Sequence, residues 1–258
     1  MFLVGSVHLA QSGALSVPPA MKAAFALSDE LVVEVDVTAV DAEKLRQFIQ
    51  EHGLLPEGQR LLQQLEPETA KLLTETAERL GTPMEGWDRM RPWVVAMTLP
   101  ALASRDASTA PGPGVDLLFL ANARSTKPIV ELETAETQLQ VFAGLPEPVE
   151  ERMLRDHLLH LGELRGALER LEAAWNAGDA EALEAEVFRQ EREDPELRPL
   201  YEKLFYERNV RMAEKLGELL AQQRVYCVVV GAGHVVGPRG LVALLRKQGH
   251  RVRQLPRE

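Results

Sequence analysis

Residues 225–234 read VYCVVVGAGH, and this stretch decides the fold. Six apolar or aromatic residues in succession predict a strand that is buried on both faces, as in the parallel sheets of α/β proteins. A glycine-rich turn that ends in His234 follows at once. Residues 241–248 then predict a helix that Gly249 closes, and residues 250–255 alternate like an edge strand.

The N-terminal end follows the same plan. Residues 2–4 predict a short buried strand, and Gly5 and His8 mark a second G-x-x-H turn directly after it. A predicted helix at residues 20–28 and a predicted strand at residues 31–35 complete the unit. Two strand, loop, helix, strand units at the chain ends predict an α/β fold with a central mixed β-sheet flanked by helices.

Helical insertions separate the two end units. Apolar residues recur at helical spacing in both, and we predict one domain over residues 1–258 with insertions at about 41–100 and about 149–205. The first should hold two or three helices and then a helix that opens at Pro92. Other predicted elements are a mobile loop at residues 101–114, a helix at 115–123, a strand at 128–133, a helix at 135–142 and a helix at 206–222.

The composition excludes several kinds of partner. Hydrophobic residues make up 45% of the chain, and 39 acidic against 29 basic side chains give a formal charge of -10. Such a charge disfavours nucleic acid and anionic lipid surfaces. No apolar run reaches the roughly 20 residues of a membrane-spanning helix. Cys227 is the single cysteine and lies in the predicted buried strand, so no disulfide can form within the chain.

The N-terminus does not resemble a signal peptide. Residues 1–4 carry no basic side chain and run directly into the first G-x-x-H turn. A cytoplasmic location is therefore expected for the sequence as given. A leader that preceded residue 1 in the cell would instead indicate an extracytoplasmic protein.

His8 and His234 are the first candidates for a functional site. Each follows a buried strand, and ligand sites of α/β sheets gather at the carboxyl ends of the strands. Glycine three residues earlier lets the backbone turn sharply or approach a ligand. A single G-x-x-H is a weak pattern, but its repetition after two matched strands is informative. The structural alternative is that each histidine caps a turn through hydrogen bonds.

Two glutamates are candidate partners of the histidines. Glu34 lies inside the apolar residues 32–37, where an unpaired carboxylate is costly, although simple alternation would instead place it on a solvated face. Glu133 ends a predicted strand, so it is either a site carboxylate or a charge that complements a helix N-terminus. Arg208 offers a rigid donor fork for a carboxylate, either in a salt bridge or in substrate binding.

Two imidazoles and one or two carboxylates form a ligand set for a divalent first-row metal such as zinc, which could activate water for hydrolysis. The sequence contains no H-E-x-x-H motif and no phosphate-binding P-loop, and residues 231–233 lack the later glycine of a dinucleotide fingerprint. His157 and His160 lie one turn apart without a third ligand, and we expect surface or core roles for them.

Three ordered groups of residues together resemble the TraB/GumN/PrgY family. The resemblance spans nearly the whole chain. The matching segments are residues 5–9 with Pro18, Pro19 and residues 31–36, then residues 114–116, 127–130 and 132–139, then residues 207–209 and 231–238.

The resemblance implies an α/β fold shared with the Tiki metalloproteases and related to erythromycin-esterase-like and ChaN-like proteins. It implies metal-dependent peptide cleavage supported by manganese or cobalt. By motif position the expected metal ligands are His8, His234 and Glu34. The residues expected to be catalytic are Glu34, Glu133 and Arg208, and those expected to bind substrate are Arg208 and Asn209.

The sequence leaves three functions open. The leading hypothesis is a metal-dependent hydrolase that acts on a peptide or a small amide. A non-catalytic protein that binds or sequesters peptides, of the pheromone-shutdown type, is the alternative from another class. An esterase-like hydrolase that uses a histidine without a metal is the third, although no serine nucleophile motif supports it.

Overall fold

A computed structural model describes residues 1–7, 9–10, 17–104 and 112–256, with His8 outside the described residues. Strands in this part of the chain form two sheets. The strands are β1 (Phe2–Ser6), β2 (Leu9–Ala10), β3 (Glu30–Val33), β4 (Gly112–Pro113), β5 (Ile129–Glu131) and β6 (Tyr226–Gly231).

The larger sheet has the strand order β1-β6-β3-β5, and all three of its pairings are parallel. The α/β fold is therefore confirmed. The sequence predicts a mixed sheet, whereas the described strands of the larger sheet are all parallel and β2 and β4 form a separate antiparallel pair. Parallel pairing follows from the connections, because helices lie between successive strands of the larger sheet and return the chain to the same sheet edge.

Successive strand residues face two different hydrophobic cores. Leu31, Val33 and Val229 pack into the larger core, and Val32 and Val228 pack into the smaller one. Because both faces are covered, the strands need apolar residues at every position. This requirement explains the unbroken apolar run in β6.

Helices cover both faces of the sheet and fill the two predicted insertions. The smaller core is closed by helices from the C-terminal part of the chain, through residues such as Met212, Leu216 and Leu241. The helices are α1 (Pro19–Ala26), α2 (Ala42–His52), α3 (Leu61–Gln64), α4 (Pro67–Arg79), α5 (Pro92–Ala103), α6 (Val115–Ala123), α7 (Ala135–Ala143), α8 (Glu147–His160), α9 (Leu164–Ala177), α10 (Ala180–Val187), α11 (Arg189–Glu193), α12 (Arg198–Tyr201), α13 (Glu207–Leu220), α14 (Ala232–Val235) and α15 (Leu241–Lys247).

Local signals explain several helix boundaries. Proline stands in the first turn of α1, α4, α5 and α8, where its missing N–H costs nothing. Thr134 and Thr137 form a capping box at the start of α7. Gly249 has a φ of +92°, which confirms its predicted place after α15. None of the described helices has the length and apolar character needed to cross a bilayer.

Two predicted segments differ from the structure. Residues 250–255 are not a strand: side-chain hydrogen bonds from Arg246 to the carbonyl of Val252 (3.0 Å) and from Gln254 to that of Gly178 (2.8 Å) hold this segment. The predicted loop at 101–114 is part of α5 as far as Ala103 and ends in β4, and its residues 105–111 lie outside the described residues.

A buried ion pair joins the two insertions. Arg91, just before α5, contacts Glu150 in the first turn of α8 and also donates to the carbonyls of His52 (2.9 Å) and Ala143 (3.1 Å). Glu150 is fully buried, and this burial raises its pKa despite the opposing effect of Arg91. The Arg91 guanidinium, at the start of α5, thereby links α2 and α7 to the carboxylate of Glu150 on α8.

Candidate functional site

Three polar side chains converge from the carboxyl ends of neighbouring strands. Glu34 follows β3, Glu133 lies two residues beyond β5, and His234 lies in the short α14 after β6. These ends lie at one edge of the sheet because the strands are parallel and adjacent. The sequence places Glu34 inside a strand, but β3 ends at Val33, so the carboxylate lies at the sheet edge.

Both carboxylate oxygens of Glu34 are hydrogen bonded. Oε1 accepts from the backbone N–H of Gly231 at 2.6 Å. Oε2 accepts from Nη2 of Arg208 at 2.7 Å and from Nε2 of Gln138 at 3.1 Å. The side chain is 12% exposed, so these donors replace much of the solvation that a carboxylate loses on burial.

Arg208 on α13 joins both glutamates. Its Nε lies 2.8 Å and its Nη2 2.6 Å from Oε2 of Glu133, and Nη1 donates to the carbonyl of Leu204 at 2.8 Å. Burial acts to lower the pKa of Arg208, but Glu133 and Glu34 outweigh it and the pKa is raised. The guanidinium is thus a permanent charge, and these three side chains together carry a formal charge of -1.

His234 is held by Asn209, which is fully buried one residue beyond Arg208. Nδ2 of Asn209 donates to the carbonyl of Arg239 at 2.9 Å, so Oδ1 is the atom that faces His234. Oδ1 lies 2.6 Å from Nδ1 of His234 and can only accept, which places the imidazole proton on Nδ1. In the neutral ring the lone pair is therefore on Nε2, and this nitrogen lies 3.7 Å from Oε2 of Glu34.

The glycines of both turns allow close packing. A Cβ on Gly233 would lie 2.7 Å from Cε1 of Phe205 and 3.0 Å from Cγ1 of Val187. The Phe205 ring can therefore reach the His234 ring, with 5.2 Å between their centroids. A Cβ on Gly5 would lie 3.2 Å from the backbone of Ala232 in α14.

The strands before the two predicted histidines are neighbours, as the repeated unit predicts. β1 pairs with β6 in parallel, and Gly5 and Ser6 are opposite Val230 and Gly231. His8 itself lies outside the described residues, so the meeting of the two imidazoles stays a prediction. Within the described ranges, no group of three or more His, Cys, Asp or Glu side chains is placed to hold a metal ion.

Sequence reasoning missed Gln138 and Trp175. Gln138 lies in α7, five residues after Glu133, and its amide is 3.4 Å from Oε2 of Glu133 as well as near Glu34. Its place in the family-like segment 132–139, beside a candidate carboxylate, was the available signal. Trp175 donates from Nε1 to the carbonyl of Gly5 at 2.7 Å, across 170 residues of sequence. No local pattern indicates such a contact.

A π-helical turn at Glu202–Tyr206 directly precedes α13. Turns of this type are rare and often occur at functional sites, because one extra residue per turn changes the direction of the side chains. Here the turn contains Leu204, whose carbonyl binds Arg208, and Phe205, whose ring contacts His234. The sequence gives no signal for this turn.

His157 and His160 lie on α8, away from the sheet edge. Nδ1 of His157 is 2.8 Å from the carbonyl of Met153, and Nδ1 of His160 is 3.0 Å from that of Asp156. Both are partly buried in the helical insertion. The contacts agree with the structural roles that the sequence predicts for them.

The arrangement is that of a buried, preorganised polar cluster at the carboxyl edge of a parallel sheet. The model of the TraB/PrgY/gumN family matches residues 1–254, and the chain belongs to this family. The resemblance drawn from the motifs is therefore confirmed.

Individual relatives are more distant. The chain is 26% identical to the uncharacterized protein YbaP of Escherichia coli (strain K12), over 95% of this chain and 87% of that protein. It is 24% identical to the metalloprotease TIKI2 of Danio rerio, over 99% of this chain and 58% of that protein. The metalloprotease TIKI1 of Danio rerio gives 24% identity over 99% of this chain and 61% of that protein. No solved structure matches the chain.

Proposed function

We propose that this protein is a metal-dependent hydrolase that acts on a peptide or a similar amide. The proposal places the reaction at the sheet edge formed by His234, Glu34 and, as predicted from the sequence, His8. Family membership supports it, since two relatives are named metalloproteases.

The observation that carries the proposal is the orientation of His234 toward Glu34. Asn209 fixes the proton on Nδ1, so Nε2 is the nitrogen that would coordinate a metal ion, and Oε2 of Glu34 lies 3.7 Å away. Two ligands with bonds of about 2.0–2.2 Å to one ion are separated by roughly 3–3.5 Å. The donor types and their separation therefore fit a divalent ion after a small adjustment, and His8 would supply a further nitrogen.

Charge also favours a cation at this edge. The side chains of Glu34, Glu133 and Arg208 are 12%, 8% and 5% exposed, and two carboxylates beside one guanidinium favour a further cation nearby. A bound divalent ion would lower the pKa of a coordinated water and polarise a substrate carbonyl. Manganese or cobalt is the ion that the resemblance implies, and zinc suits the same donors.

The other residues of the cluster hold these donors in place. Arg208 and Gln138 fix the carboxylate of Glu34, and Asn209 fixes the ring and tautomer of His234. Partners of this kind raise metal affinity by orienting the ligands. The contacts of Arg208 and Asn209 favour such positioning, and their predicted roles in substrate binding stay predictions.

Glu34 is better placed than Glu133 to act beside the ion. Glu133 accepts from Arg208 with both oxygens, at 3.2 and 2.8 Å from Nε. Both oxygens of Glu133 are thus engaged by the guanidinium. The contacts favour a positioning role for Glu133, whose catalytic role also stays a prediction.

A specific observation also supports the non-catalytic alternative. Both oxygens of Glu34 already accept strong hydrogen bonds, from Gly231 and from Arg208. A carboxylate whose oxygens are occupied in this way has fewer lone pairs left for a metal ion. A protein that binds peptides without cleaving them remains the second candidate for this reason.

Metal titration tests the proposal directly. Calorimetry with Mn²⁺, Co²⁺ and Zn²⁺ should show one site in the wild-type protein and loss of most binding in His8→Ala and His234→Ala. His157→Ala is the matched control, because His157 lies on α8 outside the cluster, and it should bind like the wild type. Equal affinity in all four proteins would refute the shared metal site.

Cleavage separates the two candidate functions. A peptide library should be cut by the metal-loaded wild type and not after removal of the metal or in His234→Ala. Binding of peptides without cleavage at any metal loading would favour the sequestering protein.

A further inference from the structure

A cavity lies in the helical insertion behind Phe205. Its volume is about 340 Å³, which is far more than the roughly 30 Å³ of one water molecule and within the usual range of ligand pockets. The space is therefore large enough to receive a side chain from another molecule.

The lining is predominantly apolar. It combines aliphatic, aromatic and thioether side chains from six helices and the π-helical turn, and its polar residues include Asp156, His157 and Arg189. Sulfur and ring atoms pack well against aromatic groups. The apolar side chains that the argument uses are Met97, Phe142, Met153, Leu200, Tyr201 and Phe205.

One wall of the cavity is also the support of the site. Phe205 and Val187 line the cavity, and both are the side chains that a Cβ on Gly233 would strike. The same Phe205 ring contacts His234, and Leu204, which also lines the cavity, binds Arg208 through its carbonyl. A single ring thus separates the cavity from the candidate metal ligand.

The cavity lies close enough to the site for a neighbouring residue of a bound peptide to reach it. Neighbouring residues in an extended chain are about 3.3–3.4 Å apart, and their side chains reach several ångströms further. The Phe205 and His234 ring centroids are 5.2 Å apart. A peptide that passes His234 on the Phe205 side therefore brings a neighbouring residue within reach of the cavity, which Phe205 also lines.

We propose that this cavity binds a large apolar side chain, of the Leu, Met or Phe class, of the peptide that the site takes. The inference rests on the proposed function, since it assumes that a peptide reaches His234. The cavity then selects peptides with an apolar residue next to the position of attack. Burying one more methylene in such a pocket changes selectivity by about tenfold or more.

The test uses peptides of one length that differ at a single position, with Leu, Met or Phe against Gly, Ser or Asp. Ala167→Phe fills the cavity, because Ala167 lines it from α9. Ala173→Phe is the matched control on the same helix, since Ala173 is exposed and is not among the lining residues. Binding is measured by fluorescence anisotropy without added metal, and cleavage is measured separately with metal.

We expect the wild type to bind the apolar peptides at least about tenfold more tightly than the Gly peptide. Ala167→Phe should reduce this ratio to near one, and Ala173→Phe should leave it unchanged. If Ala167→Phe does not fold, Met153→Ala enlarges the cavity and should move the preference from Leu toward Trp. A wild type with no apolar preference, or one that binds none of the peptides, would overturn the proposal.

The two proposals fail in different ways. Cleavage with a preference that Ala167→Phe leaves intact would overturn the cavity assignment and keep the hydrolase. Apolar binding that Ala167→Phe abolishes, without cleavage by any protein, would support the cavity and overturn the hydrolase.

Discussion

Arg208 and Arg91 both bind buried carboxylates, but the two clusters differ in the number of carboxylates and in surroundings. Arg91 serves one carboxylate, Glu150, and its side chain is 23% exposed. Arg208 is 5% exposed and serves two, Glu34 and Glu133. The first cluster joins one guanidinium to one carboxylate between helices, whereas the second places one guanidinium between two carboxylates at the sheet edge. The second carboxylate, rather than the presence of an ion pair, distinguishes the candidate site from a structural contact.

Removal of each arginine tests this distinction and should have the largest effect. Arg208→Met leaves two neighbouring carboxylates without their shared partner, and we expect a loss of about 3–5 kcal/mol in the free energy of unfolding. Arg91→Met should cost less, because burial already raises the pKa of Glu150 and a proton can neutralise it. Urea unfolding at pH 7 measures both values. Equal losses would mean that the two clusters are alike.

Asn209→Ala sharpens the comparison at His234. Without Oδ1 of Asn209 the imidazole can adopt the other tautomer, so metal affinity should fall by roughly 10–100-fold. Asn122→Ala is the control, because the exposed side chain of Asn122 on α6 donates to the carbonyl of Leu118 (2.7 Å) and is not part of the cluster. Titration with Mn²⁺ measures the change. Unaltered affinity in Asn209→Ala would show that the tautomer is not set by this contact.

Gly233→Ala should break the packing that supports His234. The new Cβ would lie 2.7 Å from Phe205 and 3.0 Å from Val187, and a shift of these side chains should cost about 1 kcal/mol. A Cβ on Gly162 would meet nothing within 4 Å, and Gly162→Ala is therefore the matched control. Thermal and urea unfolding should show the loss in the first variant only.

Glu150→Gln should give the smallest effect, visible in the pH dependence of stability. The folded pKa of Glu150 is raised, so the folded chain holds its proton to higher pH than the unfolded chain does. The stabilisation that the protonated Glu150 adds to the free energy of unfolding is fully present below the ordinary pKa of about 4.3. It is lost as the pH rises through the raised pKa. The free energy of unfolding of the wild type, measured relative to that of Glu150→Gln, should therefore fall as the pH rises across this window. A constant difference would contradict the raised pKa.

The sequence predicts the strands and much of the sheet-edge cluster because each has a local signature. Apolar runs define β3 and β6, and Glu34, Glu133, Arg208 and His234 follow or adjoin predicted elements. The family-like motif at residues 207–209 indicates Asn209. Its contact with His234 depends on how two separate helices pack together, which no local pattern predicts.

Other features could not be predicted because they arise from contacts between distant elements. Trp175 reaches Gly5 from a helix whose sequence shows only amphipathic spacing. Phe205 reaches His234 because of a π-helical turn that has no sequence signature. Residues 250–255 alternate like a strand, but they pair with neither of the outer strands, β1 and β5. Side-chain hydrogen bonds from Arg246 and Gln254 hold the segment instead.

The place of β6 between β1 and β3 affects how the chain can fold during synthesis. β1 pairs with β6 alone in the larger sheet, and its partner residues 227–231 are made more than 220 residues later. Until β6 is synthesised, β1 has emerged from the ribosome as an apolar strand with an unpaired edge, and such a strand is prone to aggregate. Pairing of such distant segments is also slow, because the intervening loop must first be ordered. The helical insertions can fold early through local contacts, but the sheet edge that carries His234 and Glu34 can assemble only after β6 has left the ribosome.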